Sequence, residues 1–167
     1  MRLFIAVMIT GQCRNALADT LELMKQNGIT GRFVPEENLH ITLAFIGEYG
    51  SPEPVIDALH RITFYPFEIE LNGTGMFGDT LWAGVKDHDN LKILADQVRQ
   101  ELASAGIPFD QKDFVPHITL VRRMKGLMKE HPVPSYHMTV SRISLMNSDL
   151  SSGSPHYSEI SSFGNVD

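Results

Sequence analysis

Among 167 residues there is a single cysteine, Cys13, so the chain cannot close an internal disulfide. That scarcity suits a reducing cytoplasm, and the lone thiol reads as a small buried or surface residue rather than a nucleophile. Basic charge is also in short supply. Fourteen Lys and Arg against 20 Asp and Glu leave a net charge of −6, which argues against a general nucleic-acid coat but not against a protein that grips one phosphate at a strand end. No apolar run is long enough to cross a membrane. Residues 1–9 superficially resemble a short signal peptide. Their apolar run is at the lower limit for one, and Gly11-Gln12-Cys13 offers no cleavage signal, so a buried first strand is expected. The chain also lacks H-E-x-x-H, paired CxxC and an Asp-rich ligand loop, so neither metal nor cofactor is expected. Nor does any serine sit in a nucleophile elbow.

The rest is ordinary globular composition, 43% hydrophobic and 20% charged. The length suits one domain over residues 1–167, built as one body or as two intimately packed lobes.

The pattern predicts an apolar strand over 3–9. A helix follows from about 15 to 26 with Leu17, Leu21 and Met24 on one face, ended by Asn27-Gly28. A strongly apolar strand over 38–46 should stop at Gly47. Ser51-Pro52 opens a second helix with Val55, Ile56, Leu59 and Ile62 as its buried stripe. Alternation of apolar and acidic residues marks a half-exposed strand over 67–71. The glycine-rich run 73–78 reads as a turn or loop, since its dinucleotide-like glycine spacing does not join a strand to a helix. A strand over 81–85 and a helix capped by Asp89, carrying Leu91, Leu94, Val98 and Leu102 and ended by Gly106, come next. A strand over 115–121, a Lys- and Pro-rich loop over 124–136, and strands near 138–146 and 157–160 finish the chain.

One sequence occurs twice. His40-Ile41-Thr42-Leu43 and His117-Ile118-Thr119-Leu120 are identical tetrapeptides, 117 − 40 = 77 residues apart, each ending a strand–helix–strand unit. A repeat in equivalent contexts suggests two lobes related by a pseudo-twofold axis, both tetrapeptides facing one cleft. Residues two apart share a strand face, so each histidine projects with its threonine while Ile and Leu enter the core. Two imidazoles can supply both ends of a proton transfer near neutrality. Two hydroxyls can hold non-bridging phosphate oxygens in the transition state. A strained cyclic phosphate carries its own leaving oxygen, so such a set needs no metal. His137-Met138-Thr139 repeats the spacing without the strand–helix context and reads as structural. His60, on a helix, and His88, His131 and His156, in predicted loops, read as solvated or capping. Arg122, at the end of the second strand, is either a phosphate-holding fork or a solvated strand end. Phe45 is either a stacking face for a base or a core residue.

Residues 38–48, Asn-Leu-His-Ile-Thr-Leu-Ala-Phe-Ile-Gly-Glu, resemble the first signature of the two-histidine phosphoesterases, most closely the RNA 2′,3′-cyclic phosphodiesterase (2′-5′ RNA ligase) branch. Residues 114–122, Phe-Val-Pro-His-Ile-Thr-Leu-Val-Arg, resemble the second, trailing arginine included. Arg2-Leu3-Phe4-Ile5-Ala6 is similar to that branch's opening strand, and residues 145–148 through His156-Tyr157 to its last hairpin. The resemblance implies an α+β bilobal fold in which two antiparallel sheets line a central cleft with helices outside. It implies His40 as general acid, His117 as general base, and Thr42 and Thr119 holding the phosphate. It also strengthens Arg122, Phe45 and, more weakly, Phe4 as substrate contacts. The implied ligands are RNA ends or small nucleotides bearing a 2′,3′-cyclic phosphate, without a membrane or an obligate protein partner. Ligation of tRNA halves through a 2′-5′ bond, and binding of RNA ends without turnover, are the competing readings.

Overall fold

A computed structural model describes residues 1–86, 89–126 and 133–164. Along β1 (Arg2–Met8) alternate side chains enter two different apolar clusters. Leu3, Ile5 and Val7 belong to the main core, whereas Phe4 and Ala6 join Met146 in a small cluster against Met8, Phe45 and Tyr157. A strand buried on both faces reads as a continuous apolar run, as this one does.

Helix α1 spans Gly11–Gln26, beginning one turn before the expected start. Cys13 and Ala16 extend the stripe of Leu17, Thr20, Leu21 and Met24 at helical spacing, and all six are buried. Small residues carried that first turn inward without the large apolar signal that marked the later ones. Strand β2 (Thr30–Phe33) was not expected, because it is polar and mostly exposed and exists through its pairing with a later strand. A 3-10 turn at Glu36–Asn38 leads into β3 (His40–Glu48), which runs through Gly47 rather than stopping there. A register shift against β1 between Leu3 and Phe4 accommodates that glycine.

Helix α2 (Glu53–Leu59) is followed by β4 (Phe67–Phe77) and β5 (Thr80–Lys86). The expected loop at 73–78 is thus mostly strand, and the turn is only residues 78–79. Gly75 is there for space: a Cβ on it would lie 2.1 Å from Trp82 Cζ2. Helix α3 (Asp89–Ser104) precedes β6 (His117–Lys125), which takes in the start of the expected 124–136 loop. The expected strand at 138–146 is broken at Ser141. Its halves, β7 (His137–Val140) and β8 (Arg142–Asp149), belong to different sheets, because the chain crosses from one lobe to the other there. Strand β9 (His156–Gly164) closes the second hairpin.

All strand pairs are antiparallel. One sheet has the order β3-β1-β8-β9, the other β2-β6-β5-β4-β7. In strand order, β3-β1-β8-β9 of one sheet corresponds to β6-β5-β4-β7 of the other. In both halves the strand before a helix pairs with the histidine strand after it. Among the described strands only β2, outside β6, has no counterpart. β3 and β6 lie against each other, α3 against β3, and α1 against β7.

Candidate active site

His40 opens β3 and His117 opens β6. Both strands then repeat one burial pattern: His and Thr half-exposed, and Ile, Leu and the residue after Leu buried. Each ring is oriented by the same bond. Nδ1–H of His40 donates to the Asn38 carbonyl at 2.7 Å, and Nδ1–H of His117 to the Val115 carbonyl at 2.6 Å. A carbonyl only accepts, so the proton of the neutral ring is held on Nδ1 and Nε2 keeps its lone pair for the chemistry. Nε2 of His40 accepts from the Thr42 hydroxyl at 2.9 Å. Aromatic rings brace both imidazoles. Phe4 and Tyr157 stand 5.1 and 5.4 Å from His40, centroid to centroid, and Phe77 and Trp82 stand 5.2 and 6.0 Å from His117.

Strict alternation would turn the fifth residue after each histidine away from its face. A bulge after each threonine prevents this. Thr42 pairs with Ala6 but Ala44 with Ile5, and Thr119 pairs with Trp82 but Val121 with Leu81. Each histidine strand therefore carries one extra residue, two successive side chains are buried, and the face is inverted beyond it. Phe45 and Arg122, both five residues after a histidine, are brought to the cleft in equivalent places. One lobe offers an aromatic ring where the other offers a guanidinium.

A cavity of about 610 Å³ opens between the sheets, its walls including His40, Thr42, Phe4, Phe45 and Arg122. Arg123, adjacent to Arg122, is not part of the wall and has a positive φ of 52°. Phe4 reaches the cavity but is only 3% exposed, so it supports the His40 ring more than it presents a free face. His117 and Thr119 lie outside the cavity wall, on β6, close enough for the charge of His117 to act on His40. Arg2, Arg32 and Tyr157 also line the cavity. Sequence reasoning missed them as site residues because they reach it through strand pairing across distant parts of the chain.

Burial lowers the His40 pKa from 6.5 to about 4; the Asn38 bond opposes the shift, and the charges of Arg122 and His117 add to it. Burial raises the Tyr157 phenol, against the pull of Arg122 and Arg2. The other described histidines, His60, His137 and His156, are not part of the cavity wall. His137 lies on β7 with Glu68 at 3.9 Å and Glu70 at 3.8 Å, and the ring of His60 meets that of Phe163 at 5.1 Å. His156 starts β9 rather than sitting in a loop. His88 and His131 lie outside the described residues. Among the described residues no three His, Cys, Asp or Glu side chains gather as a metal-ligand set, and no helix is long and apolar enough to span a membrane.

Two matched sheets whose adjoining strands β3 and β6 each open on a His-x-Thr unit, the histidine tied to the backbone at Nδ1, are the arrangement of a two-histidine phosphoesterase. Over residues 15–151 the chain matches the model of the 2′-5′ RNA ligase superfamily, and it belongs to that family. It is 32% identical to a protein of Archaeoglobus fulgidus named RNA 2′,3′-cyclic phosphodiesterase, across 98% of this chain and 99% of the relative. A protein of the same name from Thermotoga maritima is 30% identical across 94% and 91%. The crystal structure of a Thermus thermophilus protein superposes with a TM-score of 0.83 at 29% identity, covering 98% of this chain and 97% of that one.

Proposed function

We propose that this chain, acting over residues 1–167 as one bilobal domain in the cytoplasm, hydrolyses RNA 2′,3′-cyclic phosphate termini to 2′-phosphomonoesters. His40 and His117 carry the chemistry without a metal, a cofactor or a protein partner. The observation that carries this reading is the duplicated orientation of the imidazoles. Two rings, on facing strands, are each tied at Nδ1 to their own backbone and keep Nε2 for proton transfer. The names of the relatives point to hydrolysis rather than to its reverse, ligation.

In this scheme His117 takes a proton from water as the water oxygen attacks phosphorus. The bond from phosphorus to the ribose 3′ oxygen breaks, and Nε2–H of His40 protonates the departing oxygen. The hydroxyls of Thr42 and Thr119 and the Arg122 guanidinium hold the non-bridging oxygens, whose charge the transition state must keep. Phe45 offers its ring to the base, and Phe4 backs His40.

His40 is neutral at pH 7 in the ligand-free protein, since its pKa is about 4. An acid needs its proton, so the substrate must bring it. A phosphate monoanion beside His40 attracts the imidazolium form directly and so works against the burial that chiefly holds the ring neutral, besides offsetting the smaller effects of Arg122 and His117. The same neutrality supports a second reading with the roles exchanged, His40 activating water and His117 protonating the leaving oxygen.

Phosphorus NMR of the product from a dinucleotide 2′,3′-cyclic phosphate tests the reaction. A predominant 2′-phosphomonoester is expected. A 3′-phosphate overturns the orientation, and an unreacted substrate overturns the activity.

A further inference from the structure

The geometry points to a second phosphate subsite in the cavity, formed by Arg32 with Arg2, so that the preferred substrate also carries a phosphate on the 5′ oxygen of the cyclic ribose. This inference rests on the proposed phosphodiesterase activity and concerns what is held beside the reacting group.

The cavity is basic in an acidic protein. Arg2, Arg32 and Arg122 line it and, among the described residues, no carboxylate does, although the chain carries a net charge of −6. Arg14, Arg61 and Arg142 are paired with glutamates, whereas none of the three cavity arginines makes an ion pair with a described carboxylate. The reacting cyclic phosphate carries one negative charge, which Arg122 alone can match. Two cations are left over.

The way Arg32 arrives is more telling. It stands on β2, the one described strand without a counterpart in the other lobe, and it is the direct cross-strand partner of Arg122. Like charges directly opposite one another destabilise a sheet. The approach is also tight. Gly31 has a φ of +146°, and a Cβ there would lie 2.8 Å from the Arg122 carbonyl oxygen. An extra strand, a position restricted to glycine and a like-charge pair together set Arg32 beside the arginine of the scissile phosphate. Adjacent strands are about 5 Å apart, a spacing that one ligand with two neighbouring phosphates can bridge. Arg2 holds its guanidinium 4.8 Å above the Phe45 ring, on the same wall. A second anion offsets the repulsion that the fold otherwise carries.

The 5′ phosphate can be a terminal monoester or the phosphodiester to the next nucleotide. We would compare kcat/KM for adenosine 2′,3′-cyclic phosphate, its 5′-phosphorylated form, and a dinucleotide ending in the same cyclic phosphate. Both phosphate-bearing substrates should exceed the first by about 10–100-fold, the worth of one charge-assisted contact. Arg32→Gln should bring that ratio towards one, and Arg32→Lys should keep part of it. The salt dependence for the phosphate-bearing substrates should become shallower by roughly one phosphate contact in R32Q. A melting temperature for R32Q at or above that of the wild type would show that the like-charge pair was removed without unfolding. Equal rates on all three substrates, or a ratio that survives R32Q, would overturn the subsite. A gain for the dinucleotide alone would also overturn it, by showing that a nucleoside is recognised. If no cyclic phosphate turns over, the activity is wrong, and calorimetry still decides the subsite. Adenosine 2′,5′-bisphosphate should then bind about tenfold or more tightly than adenosine 2′-phosphate in the wild type, a difference lost in R32Q. Equal affinities in the wild type would refute it.

Discussion

A histidine held neutral by its surroundings affects both stability and mechanism. The His40 pKa falls from 6.5 to about 4 on folding, chiefly through burial. Between those limits the unfolded chain binds the proton and the folded one does not. Stability is therefore full above about 6.5 and declines as pH falls towards about 4, with a slope of up to about 1.4 kcal/mol per pH unit. Denaturant unfolding across that window should show the decline in the wild type and a smaller one in His40→Gln. Equal slopes would show that His40 is not the titrating group. The direction of proton transfer has its own test. With an activated phenolate as leaving group no acid is needed, so the variant lacking the acid should recover most of its rate and the variant lacking the base should not. Recovery in His40→Ala supports His40 as the acid. Recovery in His117→Ala instead supports the exchanged roles.

At the scale of the element, the bulges and one glycine do work that periodicity does not reveal. The histidines and threonines were legible because a repeated tetrapeptide carries its own strand alternation. Phe45 and Arg122 remained ambiguous because their inward position depends on an extra residue in each strand, and register belongs to the pairing rather than to the local sequence. β2 was invisible for a related reason: its exposed polar residues show no alternation, and its partner β6 lies far along the chain. The glycines at 73–78 signalled a turn, whereas Gly75 makes room for an indole. Gly75→Ala should displace Trp82, the chain's sole tryptophan, from the His117 ring it braces. We expect a loss of about 1–3 kcal/mol in stability, typical of overpacking, with shifted tryptophan emission and reduced kcat. Unchanged emission with full activity would show that the indole has no part in placing His117.

Over the whole molecule, the asymmetry matters as much as the repeat. The pseudo-twofold repeat gives the two imidazoles the same Nδ1 bond to their own backbone, but only His40 stands in the cavity wall. The departures from it, a ring opposite a guanidinium and an unmatched strand carrying Arg32, make the two sides of the cleft chemically different, as the proposed division into a base side and a phosphate side requires. Because the scheme draws acid, base and charge stabilisation from side chains, exhaustive chelation should leave turnover intact. Loss of activity that added zinc, magnesium or manganese restores would contradict it. The central claim is that His40 and His117 act as a proton-transfer pair on a cyclic phosphate. Its most direct test is kcat/KM for His40→Ala and His117→Ala on a dinucleotide 2′,3′-cyclic phosphate, with His137→Ala as the control. Each of the first two should fall by about 10²–10⁴-fold, the usual worth of a general acid or base, while the control stays near the wild type. A folded His40 or His117 variant with near wild-type turnover, or an equal loss in the control, would contradict the account.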